Sequence, residues 1–166
     1  ETVTQLLFTL SLSNYRPGSV ADGATLGRES PDLLFMSRCC ALIKKEPVLS
    51  PQLAPKLLWT LYALDYGQDD KELLKKLMQT MSKNYRLYGE KDVVAAFKAM
   101  AHFDILHRSL KENLIKSAIQ QGAMNWSFES LADICHSLAK LREENMTFLD
   151  VVCKRVNEFA VYTEKV

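Results

Sequence analysis

Ala54-Pro55-Lys56-Leu57-Leu58-Trp59-Thr60-Leu61-Tyr62-Ala63-Leu64 is the stretch on which the fold turns. Its apolar residues Ala54, Leu57, Leu58, Leu61 and Leu64 stand at offsets 0, 3, 4, 7 and 10, one face of an α-helix. The same offsets return at Val93, Ala96, Phe97, Met100 and Phe103, and again at Leu131, Ile134, Cys135, Leu138 and Leu141. The steps between copies are 39 and 38 residues. A unit of that length holds one helix and an antiparallel partner, so a series of helical hairpins is expected. No segment alternates with a strand's period for long enough to build a sheet, and the fold class is all-α.

Turn chemistry sets the hairpin boundaries outward from this signature. Ser50-Pro51 reads as the opening of the quoted helix, with Pro55 tolerated in the first turn and Tyr66-Gly67 as the end. The partner helix starts at Asp69 and Asp70, buries Leu73, Leu74, Leu77, Met78 and Met81, and closes with Lys83 and Arg86, each charge at the end the helix dipole favours. The third hairpin joins a helix from Glu90 to Phe103 with one from Arg108 to Gln121, whose buried face is Leu110, Leu114, Ile115 and Ala118 and which Gly122 ends. The fourth joins a helix from Ser127 to Leu141 with one from Thr147 to about Tyr162, facing inward through Leu149, Val152, Cys153, Val156 and Phe159. Ser127 and Thr147 are the expected caps. Ahead of these, Val3, Leu6, Leu7 and Leu10 repeat four of the offsets, giving a helix from Thr2 to Asn14, a Gly- and Pro-bearing loop over 15–30, and a helix from Ser30-Pro31 to about Lys45.

The expected units therefore span about 2–46, 50–87, 89–121 and 126–163 of a single domain. A lone hairpin cannot cover its own apolar face, so neighbours must stack. The expected architecture is a right-handed or gently curved α-solenoid of about four hairpins, with a compact helical bundle as the alternative.

With 166 residues and 48% hydrophobic content the chain can build one continuous core. Lys+Arg number 21 against 20 Asp+Glu, so no global field recruits nucleic acid or an anionic membrane, and any basic surface is local. No apolar run approaches the length that spans a bilayer. Cys39, Cys40, Cys135 and Cys153 have neither zinc spacing nor the density of a disulfide scaffold, which fits a reducing compartment. Cys135 and Cys153 read as small buried hydrophobes, and of Cys39 and Cys40 one is expected inside and one partly exposed. The triplets Asn125-Trp126-Ser127 and Asn145-Met146-Thr147 match a glycosylation acceptor and also read as helix starts, which is the preferred reading. The chain begins at Glu1, compatible with a cleaved targeting segment or with none.

Catalytic chemistry has little support. His102 and His107 are five residues apart across a turn, no carboxylate joins them or His136 in a ligand pattern, and no metal is expected. The glycines from Gly18 to Gly27 lack the Gly-Lys-Ser/Thr ending of a phosphate-binding loop. No enzyme activity, cofactor or small-molecule substrate is expected. Basic residues, by contrast, favour the second helix of each unit. Lys76, Lys83, Arg86, Lys111, Lys116 and Arg155 are the candidate RNA-binding residues, because side-by-side second helices would line these cations along a phosphate backbone. Asp69, Asp70, Glu72, Glu112, Asp150 and Glu158 intersperse the same helices and describe an ordinary solvated face equally well. Trp59, Tyr62, Tyr85, Tyr88 and Trp126 could stack on unpaired bases, although aromatic residues in helical repeats more often plug gaps between units, and core is the preferred reading for Trp59.

Leu58-Trp59-Thr60-Leu61-Tyr62-Ala63-Leu64, with Leu131-Ala132-Asp133-Ile134-Cys135-His136-Ser137-Leu138-Ala139-Lys140-Leu141, resembles the octotricopeptide and heptatricopeptide repeats, which also occur in the Fas-activated serine/threonine kinase-like proteins of mitochondria. The likeness covers roughly residues 50–160 and shares features with tetratricopeptide and armadillo-type units. It implies organellar, mitochondrial RNA work: transcript stabilisation, processing, translation, or residence in a mitochondrial ribosome. The chain departs from longer members in having few units and no recognisable RAP domain. The two functional expectations are thus a non-catalytic subunit of an organellar ribonucleoprotein touching RNA and neighbouring proteins, and a protein-binding scaffold with no RNA contact.

Overall fold

The 3.6-residue spacing is realised as helix. A computed structural model describes Gln5, Leu7 and residues 31–163 of the chain. Its helices are α1 (Pro31–Lys45), α2 (Ala54–Ala63), α3 (Lys71–Lys83), α4 (Glu90–His102), α5 (Arg108–Gln120), α6 (Phe128–Lys140) and α7 (Met146–Thr163), with 3₁₀ turns at Tyr85–Leu87 and Ala123–Asn125. No strand occurs among the described residues. The expected helix from Thr2 to Asn14 and the 15–30 loop fall outside them, except that Gln5 and Leu7 are helical and Leu7 is fully buried.

The signature is a core stripe. All five of its residues in α2 and its flank, and all five in α4 and its flank, are buried; so are Leu131, Ile134 and Leu138 of α6. Cys135 and Leu141 are half-buried. The residue after each stripe has a repeated conformation as well. Asp65, Asp104 and Arg142 adopt left-handed φ angles of 50°, 51° and 55°. Immediately after them, the amides of Tyr66, Ile105 and Glu143 donate to the carbonyls of Leu61, Met100 and Leu138 at 3.0, 3.0 and 2.9 Å. This is the Schellman closure of a helix, which satisfies carbonyls that would otherwise be orphaned. It is built here without the usual glycine.

The second helices share a start. Asp70 Oδ1 accepts from the Leu73 amide at 3.2 Å, His107 Nδ1 from Leu110 at 3.2 Å, and Asn145 Oδ1 from Phe148 at 2.9 Å. Each satisfies the third free amide of the helix, the function of an N-cap. Asn145, not Thr147, therefore caps α7. Buried Tyr88 and Trp126 directly precede the N-caps of α4 and α6, the position from which a hydrophobic staple fixes the entry of the chain, and buried Leu49 stands at the matching repeat spacing, four residues ahead of the α2 cap. Ser127 caps α6 through the Ser130 amide at 3.2 Å. Ser50-Pro51 does not open α2 directly. Pro55 has no amide to give the Pro51 carbonyl, so residues 51–53 form a turn and helical bonding begins with the Leu57 amide on Leu53 at 2.9 Å.

The chain divides into two compact units, Glu1–Met81 and Ser82–Val166, with the division inside the last turn of α3. In the first, Lys44 Nζ lies 3.0 Å from the Asp70 carboxylate, tying the end of α1 to the cap of α3. Cys39 and Cys40 of α1 are both buried, 5% and 2% exposed, so neither is the half-exposed partner expected. Burial, helped by the Asp70 charge, pushes the Cys40 thiol up to about 12.

In the second unit α4 packs on α5 and on α6, and α5 packs on α7. Two polar ties join the first helices: Lys98 Nζ meets Asp133 at 2.6 Å, and Glu90 Oε1 accepts from the Ser127 amide and hydroxyl at 3.0 and 2.8 Å. Hydrogen bonds from Ser130 and Ser127 hold the Glu90 carboxyl below its ordinary range. Ser137, buried on the α6 stripe, donates to the Asp133 carbonyl at 2.7 Å and leaves no polar atom unpaired there. One expectation fails in α7. Phe148 is fully buried, but Cys153 is exposed and Val156 and Phe159 are 49% and 53% exposed. The residues are apolar at the expected positions, yet nothing among the described residues covers that face.

Candidate functional site

The six basic candidates divide by environment. Lys76 Nζ donates to the carbonyl oxygens of Lys44 at 2.8 Å and of Glu46, closing the C-terminus of α1. Its charge serves a helix end. Lys111 is buried, 7% exposed, with Nζ 2.6 Å from Glu143 Oε2; the lysine holds that carboxyl below its ordinary range. The pair joins α5 to the residue that closes α6, so Lys111 is a link between hairpins. Lys83, in the last turn of α3, is exposed, as is Lys116 on α5. Arg86 is also exposed, with its guanidinium carbon 5.6 Å from the Tyr85 ring centroid and its Nε donating to the Tyr85 hydroxyl at 3.2 Å. Lys154, 38 residues after Lys116, is exposed at the equivalent place on α7. The structure thus leaves Lys83, Arg86, Lys116 and Lys154 turned outward, while Lys76 and Lys111 are committed within the protein.

Arg155 has a different setting. Its guanidinium carbon lies 5.3 Å from the centroid of Phe128, whose ring meets Phe159 edge-on at 5.1 Å and 68°. Arg155 Nε is shut off from solvent and meets no acceptor. Phe128 belongs to no motif that the sequence displays. The signal that finds it is register, because Phe128 stands 38 residues after Glu90, the residue that receives the Ser127 cap of the following helix.

Two shallow clefts flank these surfaces. One of about 350 Å³ lies where α6 turns into α7 and is lined by Cys135, Leu138, Ala139, Arg142 and Leu149 among others. The other, about 370 Å³, lies between α5 and the start of α7 and includes Glu112, Ile115, Lys116, Asn145 and Thr147. The first also carries Glu143 and Glu144 in the same lining as Cys135, with Glu143 Oε2 engaged by Lys111 at 2.6 Å. His107 is spent as a helix cap, His102 lies edge-on to Phe103 at 4.9 Å, and His136 is exposed. Among the described residues no group of His, Cys, Asp and Glu could hold a metal ion, and no helix is long and apolar enough to cross a membrane. Comparison with protein-family models, with curated proteins and with solved structures finds no match.

Proposed function

We propose that the chain is a non-catalytic helical-repeat subunit of an organellar, mitochondrial ribonucleoprotein, with its hairpins stacked as an α-solenoid whose second helices face an RNA strand. The supporting observation is that Lys116 and Lys154 occupy one exposed position on two second helices that pack together, α5 and α7. Packed helices lie about 8–10 Å apart, so equivalent cations on them form a row that a single strand can follow. Lys83 and Arg86 with Tyr85 add charge and an aromatic face of the kind that unpaired bases stack on. The ribonucleoprotein setting comes from the resemblance to organellar repeats. Replacing Lys83, Arg86 and Lys116 by alanine should weaken single-stranded RNA binding and lower the salt slope by about 2, since each lost phosphate contact removes about 0.7. Unchanged affinity and slope would overturn the RNA reading.

A protein-binding scaffold without RNA contact is the second reading. It is favoured by the internal commitment of Lys76 and Lys111 and by the uncovered apolar face of α7. Salt-insensitive association with a protein, and none with RNA at low salt, would select it.

A further inference from the structure

Two turns of the fold are built alike, and the first of them carries an aromatic ring and cations that the second lacks. Tyr85–Leu87 and Ala123–Asn125 are 3₁₀ turns 38 residues apart, each leading through a buried aromatic residue, Tyr88 or Trp126, into the next hairpin. Ala123, Met124 and Asn125 stand where Tyr85, Arg86 and Leu87 do, and Gln121 stands where Lys83 does. The turn itself therefore requires no ring, no cation and no leucine. The residues that fill its first copy are nonetheless turned toward solvent: Lys83 and Arg86 are exposed, Leu87 is 65% exposed and Tyr85 is half-exposed.

The same turn is held from behind. Asn113, Ser117 and Gln121, successive side chains along one face of α5, donate to the carbonyl oxygens of Ser82, Tyr85 and Tyr88 at 3.2, 3.5 and 3.1 Å. Gln121 also donates to the Ser117 hydroxyl at 2.8 Å. The backbone beneath Tyr85 is thus fixed before any ligand arrives, and the ring gives up little freedom on binding. Arg86 keeps its guanidinium beside that ring, 5.6 Å from its centroid, with Nε on the Tyr85 hydroxyl. A cation, a ring and a second cation in chain order match the alternation of phosphate and base along a single strand. We infer that the Tyr85–Leu87 turn seats one unpaired base of an RNA strand, stacked on the Tyr85 ring beside Leu87, with Lys83 and Arg86 on the phosphates that flank it. An aromatic face accepts any base, so the contact adds affinity without selecting sequence, and it adds no ion to the salt dependence.

The inference rests on the RNA reading above, and its test separates the two. The full chain is titrated with a short oligouridylate that carries one fluorescent adenine analogue, whose emission falls when it stacks on an aromatic ring. Binding should quench the analogue. Tyr85→Leu keeps the bulk and removes the π-face; it should abolish the quench and weaken binding roughly 5- to 150-fold, the worth of one base–aromatic stack, with the salt slope unchanged. Tyr85→Phe should keep both the quench and the affinity. Ultraviolet cross-linking of the unaltered chain to the oligouridylate needs no variant, and should mark the peptide that bears Tyr85. No binding by the unaltered chain would overturn the RNA reading and this inference together. Binding whose quench and affinity are indifferent to Tyr85→Leu, or a cross-link confined to other peptides, would overturn this inference alone and leave the RNA reading standing.

Discussion

Leu138→Ala separates a covered stripe from an uncovered one. Leu138 is 3% exposed, sits between Ile134 and the helix-closing turn, and its carbonyl accepts the Glu143 amide at 2.9 Å. Removing its side-chain carbons forfeits about 2.4 kcal/mol of burial at about 0.8 per methylene. The backbone cannot slide to fill the hole, because Glu143 holds one end of the turn and the Lys98–Asp133 pair holds the helix to α4. A cavity contribution therefore adds to the burial loss, and the total should be about 3–4 kcal/mol within the measured range for such changes. Val156→Ala removes apolar atoms from a side chain already 49% exposed, and should cost under about 1 kcal/mol. Urea unfolding of both variants is followed in a Trp59→Phe background through Trp126, which lies within the Ser82–Val166 unit. An unchanged m-value is required for the comparison. A cost below about 1 kcal/mol for Leu138→Ala, or equal costs for the two, would refute the packing described.

The repeated caps give parallel expectations: Asp70→Ala and Asn145→Ala should each cost about 1 kcal/mol in urea unfolding, and Asn145→Ser should recover most of it. Arg142→Gly should stabilise the second unit by about 0.5–1 kcal/mol, because a left-handed non-glycine residue costs roughly 1–2 and glycine's extra freedom in the unfolded chain returns only part of that. A loss of stability in the same assay would place the chain elsewhere at residue 142. Acid should destabilise the second unit in a defined window. Glu90 and Glu143 have folded-state pKa values below their ordinary 4.5, so the unfolded chain takes up protons first and the stability they confer, present above about pH 4.5, is lost as pH falls through the folded values. The acid limb of the stability–pH curve should flatten in the Glu90→Gln, Glu143→Gln double variant.

Helix type and the buried stripe were legible because spacing is a one-dimensional property, and Leu61, Met100 and Leu138 needed no knowledge of their neighbours. Caps were legible in part. Ser127 and Asp70 carry short oxygen acceptors of the usual kind, whereas His107 acts through a ring nitrogen that few helices use, and Asn145 lies two residues ahead of the expected start. The α2 boundary moves because Pro55 lacks an amide, a local effect that is visible in the sequence but looks harmless within a first turn. The face of α7 could not be read at all from its own residues. Val152, Cys153 and Val156 have the apolarity of Leu114, Ile115 and Ala118, and only the presence of a covering hairpin distinguishes the two sets. The candidate cations split for a similar reason: Lys76 and Lys111 look like Lys83 and Lys116 until the Lys44 carbonyl and the Glu143 carboxylate are placed beside them.

Amide hydrogen exchange at Tyr66, Ile105 and Glu143 tests the repeated hairpin turn most directly. Each of these residues lies beyond its helix, where an amide would ordinarily exchange freely, and each donates instead to a carbonyl five residues back. All three should be protected to a similar degree as the adjoining helical amides, exchanging only when the turn opens. Exchange at the free-peptide rate at any one of them would contradict the claim that one turn geometry is built three times along the chain.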